Sequence, residues 1–175
     1  MGVHWGWRFC PRCGQRLTVL ERRVECDSCG FVHYANPIPA VAALVRDGRG
    51  RLLLARRAEE PFAGRWDTPG GFLEEGEHPV DALVRELSEE TGLTVAVRDL
   101  VGVFPDSYGD GPDAVEIVNL VWEAEIVAGE PAPADDVSEL GWFALDALPP
   151  DEELAFHWIA PMLREWRAAQ ARRRG

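Results

Sequence analysis

Glu86, Glu89 and Glu90 lie within five residues of one another, and at helical spacing their carboxylates crowd one surface. Mutual repulsion makes that arrangement unfavourable without counter-charge. Arg85, four residues before Glu89, offers one positive charge and no more. A hard divalent cation would supply the rest: Mg2+ or Mn2+ takes carboxylate oxygens, and Mg2+ prefers one or two of them with waters and substrate phosphates. The competing reading is a solvated acidic helix face.

A second constellation uses all four cysteines. Cys10 and Cys13 form one Cys-x-x-Cys pair, Cys26 and Cys29 another, and each pair is followed by glycine. Thiolates so spaced can close a tetrahedral Zn2+ site, and four sulfur ligands leave no open position, so the zinc is expected to be structural. A redox dithiol would occur once, beside a βαβ unit, and disulfides suit an exported chain. About 30 residues are too few to build their own core, which is the role the metal would fill.

Elements must hold these side chains in place. Pro79 suits a first helical turn and Gly92 a stop, giving a helix from about 79 to 91. Val80, Leu83, Val84 and Leu87 gather on its packed side, and Arg85, Glu86, Glu89 and Glu90 on the other. Ala40 to Val45 and Leu52 to Arg57 read as strands joined by the Asp47-Gly48-Arg49-Gly50 turn. Thr94 to Phe104 and Val115 to Val127 read as a long antiparallel pair. The turn-rich stretch 105–113 between them is expected to lack regular structure, with Tyr108 free to stack on a base or to sit in solvent. Glu152 to Gln170 reads as a closing helix with Leu154, Trp158, Met162 and Trp166 inward and a kink at Pro161. The prolines at 37 and 39 suggest a linker, dividing the chain into a ribbon (1–34), a main domain (35–170) and a flexible tail (171–175).

The spacing Gly71, five residues, Glu77, seven residues, Arg85-Glu86-Leu87-Ser88-Glu89-Glu90-Thr91-Gly92-Leu93 resembles the signature of the Nudix hydrolases, with every fixed position filled. The resemblance covers roughly residues 38–150. It implies a Nudix-type α/β/α sandwich with a mixed sheet, here preceded by a small zinc ribbon, and hydrolysis of a nucleoside diphosphate linked to another group. It implies that Glu86 and Glu90 are the principal metal ligands, that Glu89 is a third ligand or the base, and that the Gly70 carbonyl also binds metal. Arg85 would hold Glu77 or Glu89 by charge-assisted hydrogen bonds. An acid before a Trp-Phe strand often completes such sites, which points to Glu139 ahead of Trp142-Phe143, with Asp135 and Asp136 as rivals.

A ribbon ahead of such a domain is similar to NADH pyrophosphatases and their relatives that remove NAD caps from RNA. Those carry a downstream Ser-Gln-Pro-Trp-Pro-Phe-Pro-x-Ser motif, and this chain offers only Phe104-Pro105-Asp106-Ser107. ADP-ribose or a similar nucleotide sugar is therefore the expected substrate. NADH or NAD-capped RNA, or a nucleoside triphosphate, is the alternative, and a zinc-ribbon binding module is the reading without enzymatic activity.

Bulk properties narrow the partners. The net charge is −12, every basic residue being arginine, so broad attraction to nucleic acid or an anionic membrane is not expected. No apolar run reaches the ~18 residues that span a bilayer. The start, MGVHWGWRFC, lacks a signal peptide's pattern, so a cytoplasmic location is expected. A homodimer is expected from the resemblance.

Overall fold

The computed structural model describes residues 6–111 and 114–174. Its N-terminal unit is a three-stranded antiparallel sheet of β1 (Thr18–Val19), β2 (Arg23–Glu25) and β3 (Val32–Tyr34). Among its described residues, Cys10, Val24 and Cys26 are the buried apolar side chains. So small a core leaves the fold of this unit to its cysteines.

The larger sheet contains β4 (Ile38–Arg46), β5 (Leu52–Arg57), β6 (Trp66–Asp67), β7 (Thr94–Tyr108), β8 (Val115–Ala128) and β9 (Val137–Phe143). Its order is β6-β5-β4-β8-β7, with β9 also on β5. The pairing of β4 with β8 is parallel and the other pairings are antiparallel, so the sheet is mixed.

Alternation along β4 decides what covers each face. Val41, Ala43 and Val45 pack with Ala82, Leu83 and Leu87 of α1 (Pro79–Thr91). Ala42 and Leu44 pack with Trp158 and with Met162, Leu163 and Trp166 of α2 (Ile159–Arg174). Each fully buried leucine contributes about 2 kcal/mol by leaving water, which fixes both helices to the sheet. The result is an α/β/α sandwich with a four-cysteine unit ahead of it.

The limits of α1 follow from its ends. His78 caps the N-terminus, its Nδ1 accepting from the Val80 N–H at 3.3 Å, and Pro79 occupies the first turn, where a missing N–H costs nothing. Gly92 ends the helix in the left-handed region at φ 69°, its N–H donating to the Ser88 carbonyl.

Three elements differ from the sequence expectation. Residues 105–108 continue β7, with Pro105 opposite Val118, because β7 is the edge strand and a proline there costs no second ladder. The closing helix begins at Ile159. Asp151–Glu153 make one 3-10 turn, and Leu154 is then pulled extended beside Trp66, with the Ala155 N–H donating to the Trp66 carbonyl at 2.8 Å. Pro161 therefore falls in the first turn of α2, where it needs no kink, and the helix runs on through 171–174.

The sheet opens where the site lies. The β4–β5 hairpin pairs only at Arg46 and Leu52. Beyond that point β5 pairs with β6, while β4 bonds to the segment after β6: Ala43 N–H to Pro69 O at 3.0 Å and Val41 N–H to Gly71 O at 2.8 Å. The Pro69-Gly70-Gly71 turn is thereby wedged against β4, beside the last turns of α1.

Candidate active site

The wedge explains both glycines. A Cβ on Gly70 would lie 2.1 Å from the Val41 carbonyl oxygen, and its φ of 146° is one that L side chains rarely adopt. A Cβ on Gly71 would lie 2.6 Å from the Glu86 carboxylate. Only bare backbone lets the turn approach the acidic face of α1. The Gly70 N–H then donates to Glu90 Oε2 at 2.8 Å.

Arg85 organises the same face. Its Nε and Nη2 donate to the two oxygens of Glu77, each at 2.9 Å, while Nη1 reaches Glu86 Oε1 at 2.9 Å and Glu89 Oε2 at 3.0 Å. Nη2 also donates to the Phe72 carbonyl at 3.2 Å, tying the helix to the glycine turn. One guanidinium thus faces three carboxylates. Its hydrogen bonds hold Glu77 down at about 2.

The carboxylates deeper in the cleft behave oppositely. Burial pushes the Glu90 carboxyl well above its ordinary range, against the pull of the Gly70 N–H, and the charges of Asp136, Asp67 and Glu86 push it further. Glu86 is also raised, by burial above all, despite Arg85. Burial takes Asp67 up to about 6, although Arg57 stands beside it with Nη1 3.5 Å from Oδ2. Burial by itself favours the neutral acids, but the repulsion that Asp67, Glu86 and Asp136 exert on Glu90 is what a cation would relieve.

A cavity of about 240 Å³ lies over this region. Asp67, Glu86, Glu90, Asp135 and Asp136 line one part of it, with Gly70 and Gly71. Phe72, Tyr108, Phe156 and Trp158 line another. Arg57 sits between the two characters, donating from Nε to Pro61 O at 2.8 Å and from Nη2 to the Tyr108 hydroxyl at 3.1 Å.

The structure brings Gly70, Glu86 and Glu90 together in this cavity, while Arg85 and the half-exposed Glu89, bound to each other, do not line it. Glu139 is placed elsewhere. Its register opposite Arg56 on β5 gives it an ion pair with that arginine at 3.1 Å, in solvent, and Asp135 and Asp136 occupy the cavity wall instead. Asp67, Phe72 and Phe156 were not singled out from sequence, whereas Tyr108 lies in the cavity wall, one of the two places the sequence left open for it. Asp67 directly precedes Thr68-Pro69-Gly70-Gly71, and an acid beside a glycine turn is a signal that could have been used; Phe156 and Trp158 carry no such signal.

The oxygen donors suit a hard cation. Among the described residues, no three carboxylates converge as tightly as the thiols do. That spread fits an ion that keeps waters and substrate oxygens in its shell rather than a closed protein cage.

The four cysteines form the compact cluster. Their sulfurs lie within 4.8 Å of one another, with Cys10 and Cys29 3.6 Å apart and Cys13 and Cys26 3.5 Å apart. Gly14 and Gly30 donate back to the carbonyls of Cys10 and Cys26, each at 2.9 Å, closing the two turns. The arrangement is compatible with a zinc ribbon.

Fold and site together define an α/β/α protein with an acidic, glycine-lined cleft beside an aromatic wall. Residues 36–165 match the model of the NUDIX domain family, and the chain belongs to that family. It is 36% identical over 150 residues to the NAD-capped RNA hydrolase NudC of Pseudomonas aeruginosa, covering 82% of this chain and 50% of that protein. It is 37% identical over 123 residues to the ADP-ribose pyrophosphatase of Methanocaldococcus jannaschii, covering 70% and 69%. The crystal structure of a NUDIX hydrolase from Nitrosomonas europaea superposes with a TM-score of 0.73 at 28% identity, over 89% of this chain and 88% of that one. The chain spans about half the length of the NAD-capped RNA hydrolases it matches. Among the described residues, no helix is long and apolar enough to cross a membrane.

Proposed function

We propose that this chain is a Mg2+-dependent pyrophosphohydrolase, with Mn2+ as a substitute, cleaving a nucleoside diphosphate linked to another group, ADP-ribose or a similar nucleotide sugar. The observation that carries this reading is the Gly70–Glu90 contact, which sets a bare-backbone turn against a cluster of buried, mutually repelling carboxylates in a cavity large enough for part of a nucleotide. A divalent ion bound there supplies charge for the pyrophosphate oxygens and lowers the pKa of the attacking water.

The chain's own residues do the rest. Glu86 and Glu90 offer the principal oxygen ligands, and the Gly70 carbonyl is a further donor. Glu89 is a third ligand or the base. Arg85 positions Glu86 and Glu89 and is itself fixed by Glu77. Asp136, in the cavity wall, is better placed than Glu139 to complete the site. The four cysteines hold a structural Zn2+, and the ribbon (1–34) and the main domain (35–170) are separate units.

A second reading, hydrolysis of NADH or of NAD-capped RNA, is favoured by the 150-residue match to NudC proteins, which is longer than the stretch matched by the family model. Initial rates on ADP-ribose, NADH and NAD-capped RNA with Mg2+ decide between them. ADP-ribose is expected to give the highest kcat/KM. Glu90→Gln should abolish turnover and Glu139→Gln should retain it; full activity in Glu90→Gln would overturn the site. The reading also places the protein in the cytoplasm as a homodimer, which cell fractionation and ultracentrifugation check.

A further inference from the structure

A polar side chain stands where the sheet calls for an apolar one. Ile117, Asn119 and Val121 alternate onto one face of β8, and Ile117 and Val121 belong to the core beneath α2. Asn119 is 5% exposed, with Ala40 of β4 and Phe104 of β7 as its neighbours across the sheet. Burying an amide is unfavourable unless its groups are met. Its Nδ2 is met, donating to the Phe104 carbonyl at 3.2 Å. A carbonyl oxygen only accepts, so this contact fixes the amide with its NH2 towards β7 and its Oδ1 turned away.

Among the described residues, nothing donates to that Oδ1. Nor is the atom sealed in: the buried side-chain nitrogen or oxygen that is both closed off from solvent and unpartnered is Trp158 Nε1, and no other among the described residues. Strands β4 and β7 flank Asn119 on either side, so the surface its Oδ1 keeps opens into the cavity that Asn119 lines. It is a lone acceptor in apolar company, because Ala40, Ala42 and Ile117 form the sheet side of that cavity around it. None of the cavity's carboxylates comes from β8, so this acceptor is distinct from the oxygens that would hold a metal.

The ligand group that suits this oxygen brings one donor on an otherwise weakly polar body. A sugar ring brings several hydroxyls, most of which would stay unpaired against the alanines and Ile117, at a cost exceeding the one bond gained. A nucleobase with an exocyclic amino group carries its donor on the rim of a flat, largely apolar ring. Resting on the pyrophosphatase reading, we propose that Asn119 selects the base of the substrate, its Oδ1 accepting from the exocyclic amino group, which in ADP-ribose is that of adenine. A base with a carbonyl at the same place sets oxygen against oxygen. The amide cannot turn to offer its NH2 instead, because the Phe104 carbonyl holds it. The site therefore favours adenine over hypoxanthine, which differ at that group.

The test uses AMP as the probe, which carries the base without a scissile bond. Purine riboside monophosphate lacks only the amino group, and IMP has oxygen in its place. In calorimetric titrations of the full chain, purine riboside monophosphate should bind about five- to tenfold more weakly than AMP, and IMP about tenfold more weakly or worse. Asn119→Val suits a strand and removes the acceptor, so its preference for AMP over purine riboside monophosphate should fall to about one. A purely structural role for Asn119 would weaken both ligands alike and leave the preference intact. The variant's loss on ADP-ribose should fall on KM rather than kcat. Should the variant fail to fold, the wild-type preference still decides the matter. Equal binding of AMP and purine riboside monophosphate by wild type, no binding of AMP, or an unchanged preference in Asn119→Val overturns the proposal. Hydrolysis of ADP-ribose beside any of these results leaves the hydrolase reading standing. Absence of hydrolysis on every nucleoside diphosphate compound overturns the hydrolase reading, and the assignment of Asn119 with it.

Discussion

Glu90 accepts a hydrogen bond at 2.8 Å from the backbone N–H of Gly70, twenty residues earlier in the chain. The contact joins the end of α1 to a turn that exists because β4 and β5 separate after a single pair, Arg46 and Leu52. Helix and turn are thus positioned by the same opening in the sheet.

The two glycines of that turn should respond differently to alanine. At Gly70 the added Cβ meets backbone, the Val41 carbonyl oxygen at 2.1 Å, so the sheet itself must move. Gly70→Ala should lose about 3 kcal/mol or more of stability. At Gly71 it meets the end of the Glu86 side chain, which can swing away. Gly71→Ala should keep its melting temperature within a few degrees and lose about 100-fold or more in kcat, because Glu86 is displaced. Thermal unfolding and initial rates on one set of samples check both.

Glu90 and Asp67 make stability depend on pH. Both carboxyls hold protons more tightly folded than unfolded, Asp67 at about 6. The stability they contribute is therefore complete below the unfolded value of ~4 and is lost as pH rises through the folded value. For Asp67 the loss is on the order of 3 kcal/mol at most. In magnesium-free buffer the melting temperature should fall between pH 5 and pH 8, and Mg2+ should restore it at pH 8. Glu90→Gln keeps an acceptor for the Gly70 N–H while removing one charge. It should be at least as stable as wild type without Mg2+ at pH 8, and gain little when Mg2+ is added. Calorimetry across that range would refute the account if the variant were the less stable protein in magnesium-free buffer.

The extent to which the site was legible in the sequence follows from how local each part is. The helix 79–91 could be read because Pro79, Gly92 and the spacing of Leu83 and Leu87 are signals within the helix itself. The cysteine unit was legible for the same reason. Asp67 reaches the cavity through the opening of β4 from β5, of which the adjacent glycine turn is the one local trace, and Trp158 through the extended stretch at Leu154, which leaves no local pattern. Glu139 shows the converse. Its place before Trp142-Phe143 is a sequence regularity, but strand register put it opposite Arg56, and a one-residue step along a strand exchanges faces.

Arg85 should act through its neighbours rather than on substrate. It bridges Glu77, Glu86, Glu89 and the Phe72 carbonyl, and lysine cannot reproduce that fork. Arg85→Lys should lower kcat by about 10- to 100-fold. It should also release Glu77 from its depressed value of about 2 towards the ordinary carboxyl range. Because that depression contributes stability above the unfolded pKa and loses it as pH falls towards 2, the variant's deficit in melting temperature should be largest near neutrality and shrink in acid. Carboxyl titration by NMR would sink the assignment if Glu77 titrated alike in both proteins.

The cysteine unit should behave as a metal-dependent fold of its own. Its thiols interact so closely that one proton leaves early and another is held late. Burial raises Cys10, but the N–H groups of Arg12 and Cys13 and the nearby thiols bring it down to about 7. The Gln15 N–H lowers Cys13, but burial and the neighbouring sulfurs push it up to about 12. These values belong to the cluster as a whole, and a bound Zn2+ would replace its remaining protons. Elemental analysis should therefore find one zinc per chain. Adding Zn2+ to the stripped protein should release protons, with an apparent affinity that rises with pH. Because Val24 is the one buried apolar side chain besides the cysteines among the described residues of this unit, stripping should melt β1 to β3. The sheet around β4 has its own two cores and should persist. Amide spectra of the stripped protein check this directly: loss of dispersion confined to the ribbon is the expected result, and a zinc-free chain with the ribbon still ordered would refute it.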